Sequence, residues 1–331
     1  FKAHHAIRDP LWSRGLGDVY KRQVFPFTRA WWDGLKVGDR LIAVDGIQIS
    51  GLTVEGVRDL LPKTESATTT LTLLRNGNQI QVQTASETHL SRSLGSTNQI
   101  AYLNLREYTT ASADRVRDDY TSLVAAGSGG SGGVILDLRQ NGGGSLSGAW
   151  NLTDFLGPSS VDNQIMFSLQ QQSQGFDYRF GVYGSNLGIT DPNKFVFLID
   201  GSSASASELT SAALKDLGIA KLMGGQSYGK GVGQNVVGLL DGSGAYITSF
   251  ELLSPLGNSW HNLGVSPDYS LSTALPATPT DDTLLQAAID FIETGSVSQP
   301  TTSRRTTKSP LLLSVPPYSH PWDGGSRQDL Q

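Results

Sequence analysis

The chain has 331 residues, a net charge of −5 and no cysteine. That length suffices for two modest domains with a sizeable core. The acidic balance, without a dense basic patch, argues against nucleic acid as a partner. The lack of cysteine excludes disulfides and thiolate metal sites. No apolar run is long enough to span a bilayer, and the five histidines show no metal-ligand spacing.

Taken in chain order, the first segment is anomalous. Gly17-Asp18-Val19-Tyr20-Lys21-Arg22-Gln23 resembles a translated transposon-end adaptor from sequencing libraries, and residues 1–23 show no periodicity. They are expected to be non-native and to say nothing about a targeting signal. Residues 24–86 read as a small β-rich module. Turn chemistry at 34–39 leads into a strand over 40–44, and Asp45-Gly46 makes the next turn. Thr53 is a cap for a short helix with Val54, Val57, Leu60 and Leu61 on one side. Strands over 70–74 and 79–83 flank Asn76-Gly77, a strong hairpin signal.

Residues 87–294 alternate strands and helices, which indicates an α/β layer. Strands are expected over 100–105, 134–138 and 195–199. A helix over 114–126 carries Val116, Tyr120, Leu123 and Val124 on its apolar face, and another covers 209–217. The Gly/Ser run 127–133 reads as a flexible connection. Residues 235–256 read as a hairpin around Asp241-Gly242-Ser243-Gly244. Residues 295–331, rich in Ser, Thr and Pro, are expected to be disordered.

Two strand-to-helix turns carry the chemistry. Asn141-Gly142-Gly143-Gly144 follows the strand ending at Arg139, and Ser203-Ala204-Ser205-Ala206-Ser207-Glu208 follows Asp200. If the two strands are parallel neighbours, both turns lie beyond the carboxyl ends of the sheet, where active sites gather. A serine there sits beside free backbone N–H groups at the positive end of a helix. Tyr228-Gly229-Lys230-Gly231 supplies a lysine shortly afterwards. Serine and lysine without a well-spaced histidine are the raw material of a Ser-Lys hydrolase. Each piece also has a plain reading. Ser205-Ala206-Ser207-Glu208 fits a capping box, and Lys230 fits a surface lysine in a glycine turn. Residues 224–230 match seven positions of a P-loop, but Gly231 stands where a magnesium-binding Ser or Thr is required. A Ser-His-Asp arrangement through His261 or His89 has no spacing to support it.

The module over 24–86 resembles the second half of a PDZ domain, on 34–39, Val44-Asp45-Gly46 and the helix capped by Thr53. PDZ domains bind a chain's C-terminus by strand addition, with a glycine loop holding the carboxylate. That loop belongs upstream of Val24, and Gly15-Leu16-Gly17 lies too close to Gly34 to be it. Residues 134–144, 195–217 and 227–234, with Gly264-Val265-Ser266-Pro267-Asp268, resemble the carboxy-terminal processing (tail-specific) proteases. The resemblance implies an α/β Ser-Lys peptidase core of the ClpP/crotonase-like type behind a partial PDZ-like module. It makes Ser205 the nucleophile, Lys230 the general base and Gln234 the residue that orients the lysine. The oxyanion donors it implies are the N–H groups of Ala206 and Gly143, and Asp216 matches an acidic position that supports activity in some members. Many members have Asn-Pro-Gly-Gly where this chain has Asn141-Gly142-Gly143-Gly144; a branch carries the all-glycine form. The implied activity is cleavage of proteins near unfolded C-termini, without metal or cofactor, outside the cytoplasm in a periplasm or equivalent space. The alternative from another class is a catalytically silent PDZ-type binding or scaffold protein.

Overall fold

The structure, a computed structural model, describes residues 19–20, 24, 26–64, 67–85, 89–158, 160, 164–171, 176–181, 191–239 and 243–297. Most of the segment expected to be non-native, and residues 298–331 of the tail expected to be disordered, lie outside these. The exception is β1 (Val19–Tyr20), which pairs with Leu41 and Arg40.

The first module comprises β1, α1 (Arg29–Trp32), β2 (Arg40–Val44), β3 (Ile47–Gln48), α2 (Val54–Leu60), β4 (Thr68–Arg75) and β5 (Asn78–Ala85). Its sheet runs β1-β2-β4-β5, with β3 paired to β2, and every pairing is antiparallel. Asn76 and Gly77 both have positive φ, 51° and 82°. That is the primed turn whose twist suits a two-residue hairpin, and Arg75 pairs with Asn78 across it. Thr53 caps α2 by accepting the Gly56 N–H at 3.1 Å. Leu41, Val44, Val57, Leu71 and Leu73 form the module's core.

The second part holds β6 (His89–Leu94), β7 (Ile100–Leu105), α3 (Ser112–Ala125), β8 (Val134–Asp137), α4 (Leu146–Leu156), β9 (Ile165–Gln171), β10 (Phe176–Gly181), β11 (Phe195–Ile199), α5 (Ala206–Asp216), β12 (Lys221–Gly224), β13 (Val232–Gly238), β14 (Gly244–Leu253), β15 (Tyr269–Ser270) and α6 (Thr283–Thr294). The main sheet runs β15-β12-β11-β8-β7-β6, parallel except for the edge pair β6–β7. Strand periodicity of two sorts its side chains onto two faces. Leu103, Leu136, Phe197 and Ile199 pack with α3, α4 and α5 on one side. Tyr102, Ile135, Val196 and Leu198 pack with Leu284, Ala288 and Phe291 of α6 on the other. Strands buried on both faces read as continuous apolar runs, as 134–136 and 195–199 do. A second, antiparallel sheet runs β10-β9-β14-β13. No helix among the described residues is long and apolar enough to cross a membrane.

One expectation is corrected. The Gly/Ser run 127–133 is a packed turn, not a flexible connection. Ser128 is buried and donates to the Asn98 carbonyl, and the Gly129 N–H donates to the Gln99 carbonyl at 2.7 Å. A Cβ at Gly132 would stand 2.3 Å from that same oxygen. Glycine is there because another backbone passes too close for a side chain.

Candidate active site

The parallel register of β8, β11 and β12 brings three turns to one end of the sheet. Phe195–Leu198 of β11 pair with Val134–Asp137 of β8, and Val196–Ile199 pair with Lys221–Gly224 of β12. The glycine turn therefore follows β8 directly beside the serine turn that follows β11. Asp200 joins them: its carboxylate accepts the Gln140 N–H and side-chain amide, and the Ser202 and Ser203 N–H groups. The Asn141 carbonyl accepts the Ala204 N–H at 3.0 Å and the Ser207 hydroxyl at 2.9 Å. A Cβ at Gly143 would lie 2.8 Å from Ser205 Cβ and 2.9 Å from the Ala206 nitrogen. Gly143 and Gly144 have φ of 96° and 137°, and a Cβ on Gly144 would strike the Tyr108 carbonyl at 2.1 Å. Only glycine allows these backbones to approach so closely.

Ser205 has φ 57° and ψ −112°, a conformation foreign to residues with a side chain. Such strain costs about 1–3 kcal/mol and persists where the surroundings over-determine it. Here the Ser205 N–H donates to Glu208 Oε2 at 2.8 Å, and its carbonyl accepts the Leu209 N–H at 2.9 Å. The hydroxyl stands at the start of α5, where the next N–H, that of Ala206, opens the helix.

Glu208 does more than cap. It is fully buried. Oε2 also accepts the Lys230 N–H at 2.8 Å, while Oε1 accepts the Ser227 hydroxyl and the Gly229 N–H, each at 2.6 Å. One carboxylate thus takes four donors, from the serine turn and the lysine turn together. The Tyr228 N–H adds a bond to the Ser203 carbonyl at 3.0 Å. Ser227 Oγ in turn accepts the Val265 N–H at 2.6 Å, so residues 264–268 back the lysine turn. Asp268 anchors that segment to β12 through the Leu222 N–H.

The remaining predicted residues are placed less closely. Gln234 lies on β13, and its amide donates to Thr248 Oγ1 at 3.5 Å. Asp216 closes α5, about 16 Å along the helix from Ser205 at 1.5 Å per residue, and accepts the Leu256 N–H at 3.4 Å. The Gly143 N–H donates to Asn141 Oδ1 at 2.9 Å. His261 abuts Gly231, but its Nδ1 is buried without a hydrogen-bond partner. It therefore lacks the carboxylate that orients a triad histidine. The P-loop match fails on structure. Gly231 leads into the strand β13, not a helix, and the N–H groups of Gly229 and Lys230 face a carboxylate where phosphate would be needed.

Beneath the glycine turn lies a charge cluster that the residue pattern alone did not reveal. Arg139 bonds Asp137 at 2.6 Å and Asp282 at 2.7 Å, all three nearly fully buried. Burial opposes the Arg139 charge, but the two carboxylates outweigh it and hold its pKa well above the ordinary value. The Tyr102 hydroxyl donates to Asp137 at 2.8 Å; burial, then the Asp137 charge, push its pKa well up. Asp282 also caps α6, accepting the Leu285 N–H at 3.0 Å. The Arg139 guanidinium lies 3.8 Å from the ring centre of Phe27, in the first module.

Residues 99–271 match the sequence profile of peptidase family S41. The chain is 30% identical over 269 residues to the chloroplastic C-terminal processing peptidase of Tetradesmus obliquus, covering 75% of this chain and 55% of that protein. It is 28% identical to the carboxyl-terminal-processing protease of Synechocystis sp., over 80% of this chain and 62% of that one. It therefore spans less than two thirds of the length of either curated relative. Among solved structures, the photosystem II D1 C-terminal processing protease superposes with a TM-score of 0.51 at 26% identity, over 82% of this chain and 72% of that one.

Proposed function

Because the chain belongs to peptidase family S41, we propose that it is a serine endopeptidase that cleaves polypeptides near their C-termini, with Ser205 as nucleophile and Lys230 as general base. One observation carries the reading: the Glu208 carboxylate binds the N–H groups of Ser205 and Lys230 together, so the two turns are built as one unit. In this scheme the Lys230 amine takes the Ser205 proton as Oγ attacks the scissile carbonyl. The tetrahedral intermediate collapses as Lys230 protonates the leaving amine. Water then hydrolyses the acyl-enzyme by the same route in reverse.

The Ala206 N–H and the Gly143 N–H are the proposed oxyanion donors, each worth about 2.7–4 kcal/mol of barrier on precedent. The Gly143 N–H already serves Asn141 Oδ1, so in this role it must be shared with the substrate or released to it. Gln234 orients Lys230 through Oε1, its amide nitrogen being turned to Thr248. Asp216, at the end of α5, is proposed as the acidic position that supports activity in some members of the family. We also read 24–86 as a partial PDZ-like peptide-binding module, 87–294 as a ClpP/crotonase-like core, and the site of action as extracytoplasmic. The names of the relatives, one of them chloroplastic, support the substrate class. A catalytically silent binding protein is the weaker reading, since it gives no reason for a strained serine at this turn.

Ser205→Ala tests the reading. The variant should keep its fold and lose all cleavage of an unstructured protein; undiminished cleavage by the purified variant would sink the assignment.

A further inference from the structure

We infer that the substrate polypeptide binds in extended form along the free edge of β13, as an added strand that leads its scissile bond to Ser205. The inference rests on the peptidase reading and extends it to a docking surface. Among the described residues β13 has one strand neighbour, β14, and ends the second sheet. It begins at Val232, two residues after Lys230. A chain laid along it is therefore continuous with the lysine turn.

Exposed edges are normally defended against strand addition by charge, proline, shortness or a bulge. The β13–β14 ladder has one register irregularity, between Gly233 and Gln234; beyond it the edge has none of the other three. Residues 231–240 read Gly-Val-Gly-Gln-Asn-Val-Val-Gly-Leu-Leu, without a charge or a proline, and the strand is seven residues long. Val237 and Leu239 share a parity and are 42% and 49% exposed. Across the ladder Val237 opposes Ala245, and Ile247, 51% exposed, opposes Asn235 on the same face. An undefended strand with apolar side chains in water suits an extended, apolar polypeptide. Backbone hydrogen bonds would supply sequence-tolerant affinity, and alternate side chains would meet the Val237 face.

The absence of cysteine gives a direct test. Val237→Cys is made in the Ser205→Ala background, so that bound peptide is not cut. It is exposed to an unstructured apolar peptide carrying one cysteine, walked along its sequence, under mild oxidation. Opposed residues on one face bring their Cβ atoms within disulfide range. The expected result is capture at alternate peptide positions and loss of capture at the intervening ones. Moving the cysteine to the strand's opposite parity, with Gly238→Cys, should shift the pattern by one. Val124→Cys on the helix α3, also exposed, serves as control and should capture no such pattern. Absence of capture at β13, capture without alternation, or equal capture at Val124→Cys would overturn the inference. Fluorophosphonate labelling of Ser205 in the unsubstituted protein is read in parallel. Loss of labelling would count against the peptidase reading, whereas labelling without alternating capture removes only the added strand.

Discussion

At the scale of single residues, the site depends on how few groups hold it. Glu208 sits three residues after Ser205, and its sequence position explains only the bond to the Ser205 N–H, the half of a capping box that reaches back. Its other partners, Ser227, Gly229 and Lys230, come 19 to 22 residues later. No local pattern links them to it; the parallel register of β11 and β12 does. Glu208→Gln keeps one acceptor oxygen but turns an amide toward two of the four donors. Each buried group left unpaired costs about 1–3 kcal/mol. The expected outcome is a lower melting temperature together with a slower reaction of Ser205 with a fluorophosphonate, measured where the variant is fully folded. Unchanged labelling in the folded variant would restrict Glu208 to a structural part and remove it as a positioning residue.

At the scale of elements, legibility followed locality. The hairpin through Asn76-Gly77, the helix capped by Thr53 and the strand Phe195–Ile199 were readable because each is specified by adjacent residues. The Gly/Ser run 127–133 was not, because its glycines answer to the Gln99 carbonyl, a contact from β7's approach that composition does not encode. The short strand Lys221–Gly224 carries too few residues to show a period, yet it positions the lysine turn. The first module adds a pH dependence of its own. Asp39 is held by Arg75 at 2.6 Å and by the Lys36 N–H at 2.8 Å. Burial pushes its carboxyl up, but the Arg75 and Lys36 bonds outweigh that and leave its pKa below the ordinary value. A carboxyl depressed on folding stabilises fully above its unfolded pKa of about 3.9. That contribution is lost as pH falls through the lower folded value. Wild type and Asp39→Asn should therefore differ in melting temperature at neutral pH and converge in strong acid. A gap that stays constant down to strong acid would show that the pair carries no such linkage.

At the scale of the whole molecule, Arg139 ties the parts together. It meets Asp137 at the end of β8, Asp282 at the start of α6 and the Phe27 ring of the first module, two residues before the glycine turn. The first module also contacts the core through Asp33 with Arg92, and through the Trp31 indole on the Ala277 carbonyl. Removing one partner of a buried ion cluster leaves uncompensated charge and costs about 3–5 kcal/mol. Arg139→Met leaves two buried carboxylates without their cation. Its melting temperature should fall by much more than that of a surface arginine variant such as Arg117→Met, as calorimetry would show.

The claim on which everything else stands is that Ser205 is a nucleophile served by Lys230. Treatment with a fluorophosphonate, followed by peptide mapping, tests it most directly. The expected result is a single adduct on Ser205 that is lost in Lys230→Ala and equally in Lys230→Arg, because arginine stays protonated and cannot accept the serine proton. Absence of an adduct on Ser205, or labelling preserved in Lys230→Arg, would contradict the account.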